Sequence, residues 1–327
     1  MTKRNGKAML KVENLVKKYG DKYAVNDISF TIGDNEVVGF LGPNGAGKST
    51  TMNMITGYLS YTSGSVTVDC FEILENPTEA KKLIGYLPEQ PPLYPEMTVE
   101  EYLNFVYELK GCTLNRKKHI MEICEVTKIV DIRGRLIKNL SKGYCQRVGI
   151  AQALVGNPKI IILDEPTVGL DPKQIIEIRN LIRSLGRDHT VILSTHILAE
   201  VQSVCDRILI LNKGRLAADE RTDELTELMT GTRRIVAQIC GNRKEILDSL
   251  RSLDCVSYAE ASKEVHGTDG TVFKIESKNG EDIRKQIFAL CAEKNTPIIG
   301  METVSASLED VFLNLTQETA RKKVKAK

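Results

Sequence analysis

Hydrophobic and polar positions along the first part of the chain alternate in short runs, separated by Gly, Asn and Asp residues. Three such runs predict strands, at 9–12, 28–32 and 36–41. From Thr98 to about Val155 apolar residues instead recur at helical spacing, as at Val99, Leu103 and Val106. The pattern therefore predicts strands first and a helical insertion after them.

Strand patterns return after this insertion and alternate with helical ones. Strands are predicted at 159–163, 190–194 and 207–211, with helices between them at 173–185 and 198–204. Strands that alternate with helices favour a mainly parallel sheet. The sequence therefore predicts an α/β fold whose core is interrupted by the helical block and then completed.

A second pattern begins after a polar, Gly-containing stretch near 222–232. From residue 234 onward the order is strand, helix, strand, strand, helix, strand. This order matches a ferredoxin-like α+β domain. We therefore predict an α/β domain over 8–225 with a helical subdomain at about 96–156, a C-terminal accessory domain over 230–318 and a basic tail over 319–327.

Composition excludes several classes of function. Lys and Arg number 45 against 43 Asp and Glu, so no global positive charge is available to attract nucleic acid, and no such partner is expected. The eight cysteines lack a Cys-x-x-Cys pair or Cys/His ligand spacing, which argues against a zinc site and favours reduced thiols in the cytoplasm. No signal peptide is indicated, and apolar runs are far shorter than the ~20 residues of a membrane-spanning helix.

The strongest chemical signal is the segment GPNGAGKST, which satisfies G-x-x-x-x-G-K-[ST]. An apolar run at 37–41 precedes it and a helical pattern at 49–58 follows it, as a phosphate-binding loop requires. Lys48 would reach the β- and γ-phosphates of a nucleotide, and the Ser49 hydroxyl would bind Mg²⁺. The predicted phosphate-binding residues are Gly42, Pro43, Asn44, Gly45, Ala46, Gly47, Lys48, Ser49 and Thr50.

Two further apolar strands end in polar residues that suit phosphate chemistry. Asp164 and Glu165 follow the run 160–163, at the carboxyl end of a buried strand, where ligands of open α/β sheets bind. Asp164 would hold Mg²⁺ through water, and Glu165 would polarise an attacking water as general base. His196 follows the apolar strand 191–195, which favours a catalytic over a structural histidine.

With these motifs in place, residues 8–225 resemble the nucleotide-binding subunit of an ABC transporter, which implies a P-loop NTPase (RecA-like) ABC cassette. The segment LSKGYCQR at 140–147 resembles the ABC signature, usually LSGGQ. Ser141 is expected to cap a helix whose N-terminus faces an anion, and Gly143 lets the backbone approach it. Lys142 departs from the family pattern, and its charge either lies beside the phosphate or points to solvent.

Other segments carry roles that the resemblance implies. The segment IGYLPE at 84–89 resembles the strand before the Q-loop, which puts Glu89 in place of the Gln that touches Mg²⁺, with Gln90 as the alternative in register. Asp171 belongs to a segment that resembles the D-loop of the dimer interface. Tyr19 resembles the aromatic that stacks on adenine, and a half-buried strand aromatic is the alternative.

The resemblance implies an ATPase in which two copies, expected to be a homodimer, sandwich ATP and Mg²⁺ between one copy's P-loop and the other's signature. Glu165 and His196, which resembles the switch histidine, would complete hydrolysis. The LSKGY form and the segment 305–313, similar to the ending of ABC-2-type drug and gliding-system ATPases, favour an exporter with membrane subunits on separate chains. The expected location is cytoplasmic, on the inner face of the cell membrane. The alternatives are an importer energy subunit, a soluble ABC ATPase and a regulatory binding module.

Overall fold

The computed structural model describes residues 8–222, 234–262, 270–278 and 281–304. The chain divides into two compact units, and the first ends at Thr222. Its strands are β1 (Ala8–Tyr19), β2 (Lys22–Gly33), β3 (Val37–Leu41), β4 (Ser63–Val68), β5 (Phe71–Glu72), β6 (Ile84–Leu87), β7 (Ile160–Asp164), β8 (Thr190–Thr195), β9 (Arg207–Asn212) and β10 (Arg215–Arg221). Its helices are α1 (Lys48–Ile55), α2 (Pro77–Lys82), α3 (Val99–Leu109), α4 (Arg116–Thr127), α5 (Lys142–Leu154), α6 (Pro172–Leu185) and α7 (Leu198–Val204).

The larger sheet of this unit has the strand order β10-β9-β3-β8-β7-β6. The pairs among β9, β3, β8, β7 and β6 are parallel, and β10 joins β9 antiparallel. Every residue of β3, β7 and β8 is buried, which explains why these strands read as continuous apolar runs in the sequence. The prediction of a mainly parallel α/β sheet is confirmed.

A separate antiparallel sheet, with the order β2-β1-β4-β5, was not predicted. Its first two strands are 12 residues each, much longer than the alternating runs that announced them. The register of β1 shifts between Val12 and Leu15, and Asn14 there adopts a φ of 46°. Such irregularities break the period of two, so the sequence pattern stops short of the strand ends.

Helices α3, α4 and α5 lie between β6 and β7, inside the range predicted for the helical subdomain. Thr98 is the N-cap of α3 and forms a capping box: its hydroxyl accepts from the Glu101 backbone N–H, and the Glu101 carboxylate accepts from the Thr98 backbone N–H. Ser141 caps α5, as the sequence predicts. Within the described ranges, no helix has both the length and the apolar character needed to cross a bilayer.

A partly buried lysine, Lys110, supplies hydrogen bonds to the carboxyl end of α5. The Lys110 ammonium donates to the carbonyls of Gln152, Ala153 and Val155 at 3.3, 3.3 and 2.8 Å. The last carbonyls of a helix have no partner four residues further along the chain, and of these three only that of Gln152 also accepts from the C-cap, through the Val155 backbone N–H at 3.3 Å. Burial lowers the pKa of Lys110 to about 8, because the ammonium loses its hydration.

The second unit contains β11 (Arg234–Ile239), α8 (Arg243–Arg251), β12 (Val256–Ala261), β13 (Thr271–Ser277), α9 (Arg284–Glu293) and β14 (Ile298–Val304). The order of strands and helices is the predicted one. All pairs in its sheet, β12-β13-β11-β14, are antiparallel. Ile235, Phe273 and Ile275 pack with Ile246 and Ile287 of the helices in a core of its own. The predicted basic tail, 319–327, and the segment 305–313 lie outside the described residues.

We expect Gly85→Ala to destabilise the first unit. A Cβ at Gly85 in β6 would lie 2.2 Å from the backbone carbonyl oxygen of Ala153 in α5, so helix and strand would have to separate. Overpacking of this kind costs about 1–3 kcal/mol. Gly134→Ala is the matched control, since its Cβ would meet no atom within 4 Å. Equal urea midpoints for the two variants would contradict this packing.

We expect the stability difference between the wild type and Lys110→Met to depend on pH. The folded-state pKa of Lys110, about 8, lies below its ordinary value of 10.5, so the unfolded chain binds more protons between these values. The free energy of unfolding of the wild type should therefore rise relative to the variant, by about 2 kcal/mol between pH 8 and roughly 10. Urea unfolding at both pH values measures it, and a constant difference would show that this ammonium is not desolvated.

Candidate functional site

The predicted phosphate loop runs from the end of β3 to the start of α1, wedged between neighbouring backbones. A Cβ at Gly42 would lie 2.4 Å from the carbonyl oxygen of Leu211, and one at Gly47 would lie 2.6 Å from that of Ala24. Gly47 also has a φ of +105°, a conformation that L side chains rarely adopt. The backbone of the loop can therefore follow this path only with glycine at positions 42 and 47.

Lys48 is hydrogen-bonded to the backbone of the phosphate loop. It is 6% exposed, and its ammonium donates to the carbonyl oxygens of Gly42 at 2.8 Å and Pro43 at 3.4 Å. The same ammonium lies 3.8 Å from the Glu165 carboxylate. A positive charge, backbone N–H groups and a helix N-terminus thus meet at one point, an arrangement that suits polyphosphate.

A cavity of about 630 Å³ opens over this loop. It collects residues from the ends of several strands, as expected at the carboxyl edge of a parallel sheet. Its lining consists of Ala24, Asn44, Gly45, Gly47, Lys48, Ser49, Thr50, Glu89, Glu165, Val168 and His196. The structure therefore brings the predicted phosphate loop, carboxylate and histidine into one site.

The two carboxylates after β7 have different surroundings. Asp164 is 2% exposed, and its Oδ1 has no hydrogen-bond partner within the described ranges. Glu165 has a φ of 49°, unusual for a residue with a side chain, and its backbone N–H donates to the Ser194 carbonyl at 2.8 Å. Glu165 lines the cavity, whereas the neighbouring Asp164 is not among its lining residues.

His196 contacts the Glu165 carboxylate directly. Its Nδ1 lies 3.0 Å from both carboxylate oxygens, although the two residues are 31 positions apart. With a proton on Nδ1, the imidazole donates to the carboxylate and fixes its orientation. The histidine side chain is 44% exposed at the cavity, so its other ring nitrogen remains available to a ligand.

Of the two Q-loop alternatives, Glu89 lines the phosphate cavity. Gln90 lines a neighbouring cavity of about 490 Å³, where Glu89 is also found. Tyr19, the predicted adenine-stacking residue, is 53% exposed, and it lines neither of these cavities in the described part of the chain. The Lys17 ammonium lies 5.2 Å from its ring centroid.

The signature residues lie at the start of α5, apart from the phosphate cavity of their own chain. The Ser141 hydroxyl accepts from the Tyr144 backbone N–H at 3.5 Å. Lys142 lines the neighbouring cavity, and its ammonium extends over Gly169, where a Cβ would lie only 2.1 Å from it. Gly143 is buried against α6, since a Cβ there would lie 2.6 Å from the Gln174 side chain.

Asp171 of the predicted D-loop is the N-cap of α6. Its carboxylate accepts from the Gln174 backbone N–H at 2.9 Å. The side chain is exposed, so the cap leaves one edge of the carboxylate open to a partner.

Sequence reasoning missed a buried carboxylate beside the site. Glu200 in α7 is 1% exposed and accepts hydrogen bonds from the hydroxyls of Thr167 and Thr195. The signal was present, because Glu200 shares the buried side of α7 with Val201 and Val204. A carboxylate among apolar positions of a short helix indicates a buried partner.

Comparisons with known proteins agree with this geometry. The family described as ABC transporter matches residues 25–168. The linearmycin resistance ATP-binding protein LnrL of Bacillus subtilis (strain 168) is 34% identical over 96% of this chain and 100% of its own length. The bacitracin transport ATP-binding protein BcrA of Bacillus licheniformis is 31% identical over 94% of this chain and 97% of its own.

Solved structures agree as well. The dimeric structure of a post-hydrolysis state of the ATP-binding cassette MJ0796, bound to ADP and Pi, is 30% identical with a TM-score of 0.59. The match extends over 65% of this chain and 99% of the MJ0796 chain. Because the similarity to LnrL spans nearly the whole chain, this protein belongs to the ABC transporter family and is an ATP-binding, ATP-hydrolysing subunit.

Proposed function

We propose that this ATPase energises a membrane exporter, with Glu165 as the general base of hydrolysis and His196 as its partner. The observation that carries the catalytic part is the position of the Glu165 carboxylate. It lies 3.0 Å from His196 Nδ1 and 3.8 Å from the Lys48 ammonium, on the wall of the phosphate cavity. A carboxylate held between two cationic or donor groups beside a phosphate site can orient a water for in-line attack.

ATP binding follows from the loop itself. The β- and γ-phosphates would take the Lys48 ammonium from the carbonyls of Gly42 and Pro43, which it contacts now. The backbone N–H groups of Asn44 to Gly47 and the hydroxyls of Ser49 and Thr50 would supply further donors. Tyr19 is proposed to stack on the adenine, and its exposed ring leaves a face available for that contact.

The side-chain oxygen atoms of three residues in this part of the fold are suitable ligands for Mg²⁺. Asp164 offers a buried carboxylate oxygen that has no hydrogen-bond partner among the described residues. Ser49 and Glu89 place a hydroxyl and a second carboxylate on the cavity wall. Hard oxygen ligands of this kind are those that Mg²⁺ prefers, and a bound ion would neutralise charge on the phosphates. We therefore propose Ser49, Glu89 and Asp164 as the metal-binding residues.

A second copy is proposed to complete the ATP site. The signature residues Ser141, Lys142 and Gly143 do not line the phosphate cavity of their own chain. The N-terminus of α5 is nevertheless a suitable site for anions, and it would face the γ-phosphate held by another copy. Asp171 would lie at the same interface. The solved cassette MJ0796 is described as dimeric, which supports this arrangement.

Export is favoured over import by the relatives and by the form of the signature. LnrL is named for linearmycin resistance and BcrA for bacitracin transport, and both match this chain over nearly its full length. The membrane subunits are proposed to be separate chains, with this protein bound at the inner face of the cell membrane. An importer energy subunit and a soluble ABC ATPase are the competing functions.

The second unit is proposed to be a ferredoxin-like accessory domain over 230–318. Its sheet order, β14-β11-β13-β12, places the first and third strands at the centre and the fourth and second at the edges. This is the arrangement of a split βαβ unit. We propose that it follows the ABC ATPase domain over 8–225, and the matches to LnrL and BcrA, which extend over 96% and 94% of this chain, support a two-domain chain of this kind.

We expect Glu165→Gln to abolish ATP turnover, because the amide cannot take a proton from the attacking water. A loss of about 10²–10⁴-fold is typical of a missing general base. ATP affinity, measured with a fluorescent analogue, should remain within about 3-fold, since the phosphate loop is unchanged. Glu125→Gln, at an exposed position of α4, is the control and should turn over ATP normally. Wild-type turnover in Glu165→Gln would refute the assignment of Glu165.

We also expect Glu165→Gln to retain its transport partner during purification. The variant should be trapped with ATP bound, so affinity purification from detergent-solubilised source cells should recover a stoichiometric multi-span membrane protein. The wild type without nucleotide is the comparison. If mass spectrometry finds ribosomal or other soluble companions instead, the transport function is wrong and the soluble ATPase is correct.

A further inference from the structure

One buried carboxylate connects the two loops of the site. The Thr167 hydroxyl donates to Glu200 Oε1 at 2.6 Å, and the Thr195 hydroxyl donates to Oε2 at 2.9 Å. Thr167 stands two residues after Glu165, and Thr195 immediately precedes His196. We infer that Glu200 is a positioning residue that keeps the Glu165 carboxylate and the His196 imidazole in contact. This inference rests on the proposed roles of Glu165 and His196.

The location of Glu200 is energetically costly, which points to a specific role. The side chain is 1% exposed, and a buried carboxylate is unfavourable unless it is paired and hydrogen-bonded. The Arg179 guanidinium of α6 lies 3.9 Å from its Oε1 and supplies countercharge. An apolar residue at this position of α7 would fill the same space without burying a charge.

A carboxylate suits this position because both of its oxygens accept. Each oxygen takes one threonine hydroxyl, whereas a glutamine would offer a single acceptor oxygen and an amide that donates. Thr195 Oγ1 in turn accepts from the Ile197 backbone N–H at 3.1 Å, so the hydrogen-bonded chain encloses the turn at His196. The two loops are thus tied to the same side chain on either side of the catalytic pair.

The Glu165 turn needs such support. Glu165 is held at a φ of 49°, a left-handed conformation that is unfavourable for a residue with a side chain and persists only where the surrounding structure imposes it. The Val168 N–H donates to the Glu165 carbonyl at 3.2 Å, and Leu170 N–H donates to the Thr167 carbonyl at 3.2 Å. Anchoring Thr167 therefore anchors the turn that places Glu165 on the wall of the phosphate cavity.

The inference is tested by removing one hydroxyl at a time. Thr167→Val and Thr195→Val preserve shape, and each should lower kcat for ATP hydrolysis by roughly 10-fold or more, because small displacements of a catalytic group are that costly. KM for ATP should change less than about 3-fold, since the phosphate loop is untouched. Thr167→Ser and Thr195→Ser keep the hydroxyl and should restore kcat. Ser203→Ala removes a hydroxyl from α7, the helix that contains Glu200, and should leave kcat at the wild-type value.

A packing role would behave differently. Val and Ser variants would then lower thermal stability and the active fraction together, without a selective loss of kcat and without rescue by serine. That pattern, or wild-type kcat in both Val variants and in Glu200→Gln, would overturn the inference.

A double-variant cycle separates this inference from the proposed function. If Glu200 acts through Glu165, Glu200→Gln should add less than about 2-fold to the loss seen in Glu165→Gln, measured by release of radiolabelled phosphate. Independent, multiplying losses would refute the positioning role and leave Glu165 as the base. Wild-type turnover in Glu165→Gln alone would instead refute the proposed base, whatever Glu200 does.

Discussion

Parallel pairing of β3, β7 and β8 is the constraint on which the site depends. In the register of this sheet, Leu41 lies opposite Thr195, and Asp164 lies opposite Ser194. The phosphate loop, the carboxylates and the histidine therefore begin at nearly the same height on one edge. Because parallel strands present their carboxyl ends together, no long side chain is needed to span the site. A shift of the register would separate the charges that the cavity collects.

Close helix packing on this sheet depends on small residues. A Cβ at Gly39 in β3 would lie 2.2 Å from Val201 in α7, and Gly85 in β6 leaves room for the backbone of α5. The contact with α7 carries Glu200 to the strand ends, and the contact with α5 fixes the helix that begins at Ser141. Glycines within strands cost backbone entropy, and here the gain is a close approach of helix and sheet.

Several charged side chains are buried near the carboxyl edge of the parallel sheet. Lys48, Asp164, Glu165 and Glu200 are each less than 9% exposed, and Lys48 and Glu165 line the phosphate cavity. Buried charges of opposite sign interact more strongly than they would in water, and Asp164 Oδ1 has no hydrogen-bond partner within the described part of the chain. An ATPase gains from this arrangement, because fixed charges stabilise a transition state without reorganising. The strained turn at Glu165 is part of the same arrangement.

The local pattern of the sequence determined much of this protein. The buried strands β3, β7 and β8, the glycines of the phosphate loop and the cap at Ser141 all depend on residues close in the chain, so they could be predicted from it. The contact between Glu165 and His196 was foreseeable only as a consequence of parallel strands. Other features were decided by the tertiary structure: the antiparallel sheet with its bulges at Asn14, the choice of Glu89 over Gln90 at the cavity, the Lys142 ammonium over Gly169, and the hydrogen bonds of Glu200. Each joins segments distant in the chain, and side-chain direction there depends on register and helix packing, which periodicity within one segment does not encode.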